Sequence, residues 1–333
     1  MSGGEIDLAL SGRESVDAAI SCIPEVASGR WRLLGVRFRR VLSRIRKRVS
    51  ILSVTFLDEG SGLVIDDVIV VKEYDGDGAP GAHDALVTLW RAGFRSPSFH
   101  RVPRPYGVSA GGRHVVEQFV PGRSLIQLIR TSNGAALAGV WAMEWLLQLQ
   151  STELVLQRAG PDPLLAASVG HGMEQLQPVV SCLRTELTAS TDPMVPSHGD
   201  FHLKNLLRHN GSIVSIDVDK LGTREASFDV GDAIGQLIVM SHFGYGTLAR
   251  GVEAAAAMWN RYRESGAATA ERIVLHAARS IIKSLAFKYR LAQAAGEAPP
   301  VLHPWIAIAR HCLEARDPEQ LWSFVSRVDF YRR

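Results

Sequence analysis

The sequence predicts an α+β fold made of two parts in series, a small β-rich part followed by a larger helical one. Three observations lead there. From Val36 to Tyr74 β-branched residues dominate two runs, RRVLSRIRKRVSILSVTFL and LVIDDVIVVKEY, split by the turn-forming DEGSG. Beyond Gly122 the spacing of apolar residues becomes helical over Leu125 to Leu154, Met173 to Leu187, Ile234 to Met240, Val252 to Glu264, Ala270 to Ala294 and Val301 to Ala315. Strands first and helices after, with no βαβ alternation, argue against a doubly wound parallel sheet. The expected division is a leader over residues 1–30, a first lobe over 31–120 and a second over 121–333.

Taken in order, the leader carries one short helical pattern, Glu14 to Ile23. Residues 30–48 hold eight Arg and one Lys with no acid. Val41, Ile45 and Val49 alternate there with Arg44, Arg46 and Arg48, the period of a strand with one wet basic face rather than a nucleic-acid site. GDGAPG formally matches GxGxxG, yet no acid follows between Arg95 and Gly112 to hold a ribose, so a plain strand-to-helix turn is expected. HDALVTLWRAGF reads as a helix, SPSFHRVPRPYG as a loop, and RHVVEQFV as a strand closed by Pro121-Gly122.

With 333 residues, 46% of them apolar, the chain can fill a substantial core. No apolar run approaches the roughly 20 residues of a membrane span. The N-terminus has acids where a secretory signal has a basic start, and Cys22, Cys182 and Cys312 form no CxxC pair. These features lead to the expectation of a cytoplasmic protein with neither membrane nor nucleic-acid partner, as a monomer or dimer.

The chemistry concentrates in PSHGDFHLKN, residues 196–205. His198, Asp200 and His202 alternate as a metal-cage triplet would, which would suit a metallohydrolase. However, no HxH or HExxH spacing accompanies them. The same letters set Asp200 five residues before Asn205, and the sequence continues LLRHNGSIVSIDVD. Asn210-Gly211 favours a tight type I′ hairpin, whose return strand carries Asp217 back towards the Asp200 loop. Phosphoryl transfer needs that convergence: one carboxylate for the attacking hydroxyl, and an amide oxygen with a second carboxylate for Mg²⁺.

Here the chain resembles the aminoglycoside phosphotransferase and choline kinase-like family, relatives of protein kinases. HGDFHLKN is similar to its HGDxxxxN catalytic loop and SID to its metal-binding strand. ASFDVGDAIGQL resembles the segment whose Asp packs beneath the loop, Asp229 or Asp232 here. VIVVKEY looks like the strand of the phosphate-binding Lys, and HVVEQFVPGRSL like the hinge. The resemblance implies a two-lobed protein-kinase-like fold with a small β-rich N-lobe and a larger helical C-lobe. It further implies Asp200 as catalytic base or hydroxyl-positioning group, and Asn205 and Asp217 as Mg²⁺ ligands. Lys72 would contact the α- and β-phosphates, and the backbone of Glu117, Gln118 and Phe119 would meet the adenine edge. His198 would fix the loop. His202 would either help neutralise the γ-phosphate or pack, and Asp219 would lie near the metal or face solvent. The implied cofactors are ATP or GTP with Mg²⁺, and the implied partner is a small-molecule hydroxyl acceptor.

Three features depart from or extend that pattern. No Gly-rich loop precedes Lys72, so Arg44, Arg46 or Lys47 are expected over the nucleotide phosphates. The helix after Lys72 offers Asp84 as the nearest acid for an ion pair. Arg279, Lys283 and Arg290 share one face of a helix, expected to be solvated, with contact to an anionic or sugar acceptor as the other reading. Residues 121–333 hold 21 Lys and Arg against 20 Asp and Glu, so bulk charge names no acceptor; antibiotic, sugar and amino alcohol all stay open. The reading of another class is a catalytically silent nucleotide-binding module.

Overall fold

The structure is a computed structural model that describes residues 16–44, 47–131, 133–160, 172–188, 192–245, 248–328 and 330. The chain divides into two compact units, with the division between Pro121 and Gly122. The α+β class holds.

The first unit is built on an antiparallel sheet. β1 (Trp31–Arg44), β2 (Lys47–Asp58) and β3 (Val64–Tyr74) form a meander, continued by β5 (His114–Gln118) and β4 (Pro105–Val108) in the order β1-β2-β3-β5-β4. β2 buries every second residue, so Leu52, Val54 and Phe56 face one core while their neighbours stay half-exposed. Ile69, Val71 and Val116 join them from β3 and β5. Val16, Ala19, Ile20 and Ile23, within the stretch read as a leader, belong to the same core. GDGAPG is a turn into helix α1 (Gly78–Arg91), with Gly76 at φ 80°, a left-handed value that favours glycine. The basic residues Arg37, Arg39 and Arg40 are exposed on β1; Arg46 lies outside the described residues, and of Arg44 only the backbone is described. Lys47 Nζ stands 5.8 Å from the centre of the Tyr74 ring.

The second unit is mainly helical. Its long elements are α2 (Gly134–Gln150), α3 (Gln177–Thr188), α4 (Ser227–Tyr245), α5 (Leu248–Tyr262), α6 (Ala270–Ala295), α7 (His303–Glu314) and α8 (Pro318–Val325). None of the helices is long and apolar enough, over the described residues, to cross a membrane. Two short antiparallel pairs interrupt them: β6 (Met194–Ser197) with β9 (Gly222–Glu225), and β7 (Leu206–His209) with β8 (Ser212–Ser215).

Helices α4 and α6 cross closely because α4 presents glycine at the crossing. A methyl group at Gly231 would overlap the His276 side chain, and one at Gly235 the Ala277 carbonyl of α6. Gly244, on the same helix, faces open space. Gly235→Ala is therefore expected to force the helices apart at about 1–3 kcal/mol, the usual range for overpacking. Gly244→Ala should change stability by less than about 1 kcal/mol, and denaturant unfolding of the two variants side by side measures the contrast.

Candidate active site

The centre of the second unit is the 196–205 loop, and its shape is set by residues that do no chemistry. Gly199 has φ 79°, and any side chain there would run into the backbone of Lys220. The Asp229 carboxylate, buried at the start of α4, accepts the His198 N–H at 2.7 Å and the Gly199 N–H at 3.0 Å. Burial pushes the Asp229 carboxyl above its usual range, and those hydrogen bonds oppose the rise. Of the two acids considered for the position beneath the loop, Asp229 occupies it.

His198 is wholly buried. Its Nδ1 accepts from the Asp200 N–H at 3.4 Å, so Nε2 carries the proton and donates to Ser215 Oγ at 3.0 Å. Both nitrogens being engaged, His198 acts as a brace. Trp145 of α2 supports it from below, its ring 5.9 Å from the imidazole and 5.9 Å from the Phe201 ring. The cage of His198, Asp200 and His202 does not form, and among the described residues no group of three His, Cys, Asp or Glu is arranged to hold a metal.

Asn205 closes the loop. Its Nδ2 donates to the Asp200 carbonyl at 3.2 Å, and its own carbonyl accepts the Ile216 N–H at 2.8 Å. That second bond ties the loop to the residue before Asp217. The hairpin between them has the expected turn, with Asn210 at φ 46° and Gly211 at φ 76°, both left-handed as type I′ requires. Asp217 itself sits at φ 63°, rare for a residue other than glycine, in the short loop that leaves β8. Asp219 is half-buried in the same loop. Asp200, Asn205 and Asp217 are thus joined by one hydrogen-bonded hairpin.

Two lysines, neither assigned to Asp200 from the sequence, complete the surroundings of its carboxylate. Lys220 Nζ lies 2.9 Å from Oδ2, and Lys283 Nζ of α6 lies 3.6 Å from Oδ1. Burial raises the carboxyl, but Lys283, Lys220 and His202 outweigh it and hold Asp200 well below the usual carboxylate range. Lys283 also reaches Asp232 Oδ2 at 3.4 Å, and Arg279 donates to Asp232 Oδ1 at 2.7 Å. The solvated face expected for α6 is therefore wrong for Arg279, which is 1% exposed; Lys283 is half-exposed with its ammonium turned to the two carboxylates, and Arg290 is exposed. The physical reason is that Asp232, wholly buried on α4, draws both cations inward. Burial also pulls His202 down to about 4, although Asp200 and Asp232 oppose the shift, so its imidazole is neutral. Its Nδ1 is buried without a hydrogen-bond partner.

In the first unit Lys72 and Glu117 are both buried, and Lys72 Nζ stands 3.1 Å from Glu117 Oε1. The acid at the lysine thus comes from the neighbouring strand, whereas Asp84, the acid considered from the sequence, is exposed on α1. The register pairs Val70 with Glu117 and Lys72 with Val115, so the two side chains are diagonal neighbours on one sheet face. The Gln118 N–H donates to the Arg104 carbonyl at 2.9 Å and the Phe119 N–H to the Val68 carbonyl at 3.1 Å. Both donors are taken up within the sheet.

No family model matches the chain, and no curated protein matches it either. Solved structures do. A choline/ethanolamine kinase family protein from Mesorhizobium loti aligns over 94% of this chain and 98% of its own, at 14% identity and a TM-score of 0.55. An amicoumacin kinase in complex with AMP-PNP, Ca²⁺ and Ami covers 96% and 98% respectively, at 15% identity and a TM-score of 0.55. An aminoglycoside-3′-phosphotransferase of type VIII covers 73% and 92%, at 18% identity and a TM-score of 0.51. At such identities the likeness is one of fold: the chain has the protein-kinase-like α+β fold of these small-molecule kinases, a β-rich N-terminal sheet followed by a helical C-terminal region.

Proposed function

We propose that the chain is a phosphotransferase that moves the γ-phosphoryl group of ATP to a hydroxyl of a small molecule with the help of Mg²⁺. The observation that carries this reading is the hairpin that joins Asp200, Asn205 and Asp217 through the Ile216–Asn205 hydrogen bond, with Asp229 holding the loop from beneath. The reading gains support from the AMP-PNP in the amicoumacin kinase complex and from an aminoglycoside phosphotransferase bound to ADP and hygromycin B, at 14% identity and a TM-score of 0.51.

The donor set fits Mg²⁺. An amide oxygen and a carboxylate are hard ligands of the kind Mg²⁺ takes alongside phosphate oxygens and water. Asn205 already uses Nδ2 to bind the Asp200 carbonyl, which leaves Oδ1 as the group to offer a cation. Bound there, Mg²⁺ would offset the charge of the nucleotide phosphates. The chain's own residues do the rest. Asp200 accepts the acceptor's O–H and takes its proton. The acceptor oxygen bonds to the γ-phosphorus as the bond to the β–γ bridging oxygen breaks, and the nucleoside diphosphate leaves. Lys72, kept straight by Glu117, serves the α- and β-phosphates. Neutral His202 is left a packing role.

The test is nucleotide binding by the purified full chain. AMP-PNP should raise the melting temperature with Mg²⁺ present and much less after chelation, and ATP should be turned over slowly in water. Asp217→Asn should raise the Mg²⁺ concentration needed for half of the melting shift by about tenfold or more, the lower end of what disturbing a metal's surroundings costs. Stoichiometric zinc in the purified protein with no nucleotide effect on melting would overturn the reading. Tight Mg²⁺-dependent binding with no turnover would mark a silent module instead.

A further inference from the structure

Two ammonium groups meet at the Asp200 carboxylate. Lys220 and Lys283 occupy the two oxygens of its carboxylate, at 2.9 and 3.6 Å. Lys283 is not a loosely held surface residue. Asp232 fixes it at 3.4 Å, and Asp232 is in turn clamped by Arg279 at 2.7 Å and Gln236 at 2.7 Å. The Arg279 guanidinium lies 4.1 Å from the centre of the Phe228 ring. Phe228, Arg279, Asp232 and Lys283 thus form a built support, reaching from buried α4 to the catalytic carboxylate. Lys220 is the opposite kind of residue, on a loop and 54% exposed at its side chain, free to change partner. Three cations, Lys220, Lys283 and Arg279, thus pair with the two carboxylates of Asp200 and Asp232.

An acceptor hydroxyl has to reach Asp200, and it arrives between these two ammonium groups. As it displaces Lys220 from Oδ2, that ammonium needs a new anion. We infer that the acceptor carries an anionic group, a carboxylate or a phosphate, next to its reacting hydroxyl, and that Lys283 and Lys220 bind it. This deepens the phosphotransferase reading and rests on it. Polyamine antibiotics and amino alcohols, open on sequence alone, would bring like charge to the same place.

The probes are four small molecules that share a three-carbon hydroxylated skeleton: glycerate, glycerol 3-phosphate, glycerol and 3-amino-1,2-propanediol. Their binding to the full chain is measured by ligand-observed NMR titration, with and without AMP-PNP and Mg²⁺. At least one anion should bind about tenfold more tightly than glycerol, with the amine weakest; a tenfold preference is what one well-placed charge contact supplies. Whichever anion leads tells carboxylate from phosphate. Lys283→Met should erase the order and Lys283→Arg restore it, a rescue that a merely structural role would not produce. Should Lys283→Met fail to fold, Lys220→Met on the exposed loop carries the same test. An absent or reversed charge order in the wild type overturns the inference. So does a Lys283→Met protein that keeps the order but loses AMP-PNP affinity, because the ammonium groups would then serve the nucleotide. Failure of AMP-PNP to bind at all would sink the phosphotransferase reading, while the order on the nucleotide-free chain still decides this one.

Discussion

Asp200→Asn is expected to lower kcat by about 100- to 10,000-fold, the range for removing a general base or the group that aligns the nucleophile. The melting temperature should stay close to that of the wild type, and nucleotide affinity should hold within about threefold, since the asparagine keeps the shape and the loop is braced by His198 and Asp229 rather than by the Asp200 carboxylate. The neighbouring charges also define the role. Lys283 and Lys220 hold the Asp200 carboxyl well below its ordinary range, so the free protein carries it ionised through the whole neutral region. A carboxylate so strongly paired is a weak base, suited to orienting a hydroxyl and taking its proton late, when the bond to phosphorus is already forming. The acid limb of the kcat/KM profile should therefore not follow Asp200 ionisation, and Lys220→Met, which removes one partner, should move Asp200 upward. A kcat profile of Asp200→Asn that still shows the full wild-type rate would remove Asp200 from the chemistry.

The parts of this site that can be read from the sequence are the ones in which cause and effect lie close along the chain. HGDFHLKN and Asn210-Gly211 specify a loop and a turn through local backbone preferences, and the hairpin follows from them. Lys72 can be placed on its strand, but its pairing with Glu117 depends on β3 lying beside β5 in one register, which no local pattern announces. Helix α6 misleads for a related reason. Arg272, His276, Arg279 and Lys283 recur at helical spacing, the mark of a wet face, yet the first three are buried. Their partners, Glu225 on β9 and Asp232 on α4, lie dozens of residues away and become visible only once those elements pack against α6. The Lys220 contact with Asp200 is hidden in the same way, since nothing in IDVDK says where the chain turns after Asp217.

The buried pair Asp232–Arg279 is where the largest loss of stability is expected. Arg279→Met removes the guanidinium 2.7 Å from a wholly buried carboxylate and leaves Lys283 to balance it from 3.4 Å. Breaking one side of a buried ion pair costs about 3–5 kcal/mol, or a fall of roughly 10 °C in melting temperature for a unit of this size. The pH dependence follows from the direction of the Asp232 shift. Burial raises its carboxyl, but Lys283 and Arg279 more than offset that and leave it lowered. A lowered acid adds stability above its unfolded value, about 3.9, and loses it as the pH falls through the folded value. In Arg279→Met burial is opposed by Lys283 alone, so the Asp232 carboxyl rises and takes up its proton at a higher pH. The stability gap between the two proteins is then widest near neutrality and narrows as the pH falls through the variant's raised Asp232 value. Asp232→Leu combined with Arg279→Met should recover most of the loss, because an apolar pair leaves no uncompensated charge. That double variant should fold but no longer hold Lys283 beside Asp200, so any anion preference should disappear from a stable protein. A double variant as unstable as Arg279→Met alone would show that the pair acts through packing with Phe228 rather than through charge.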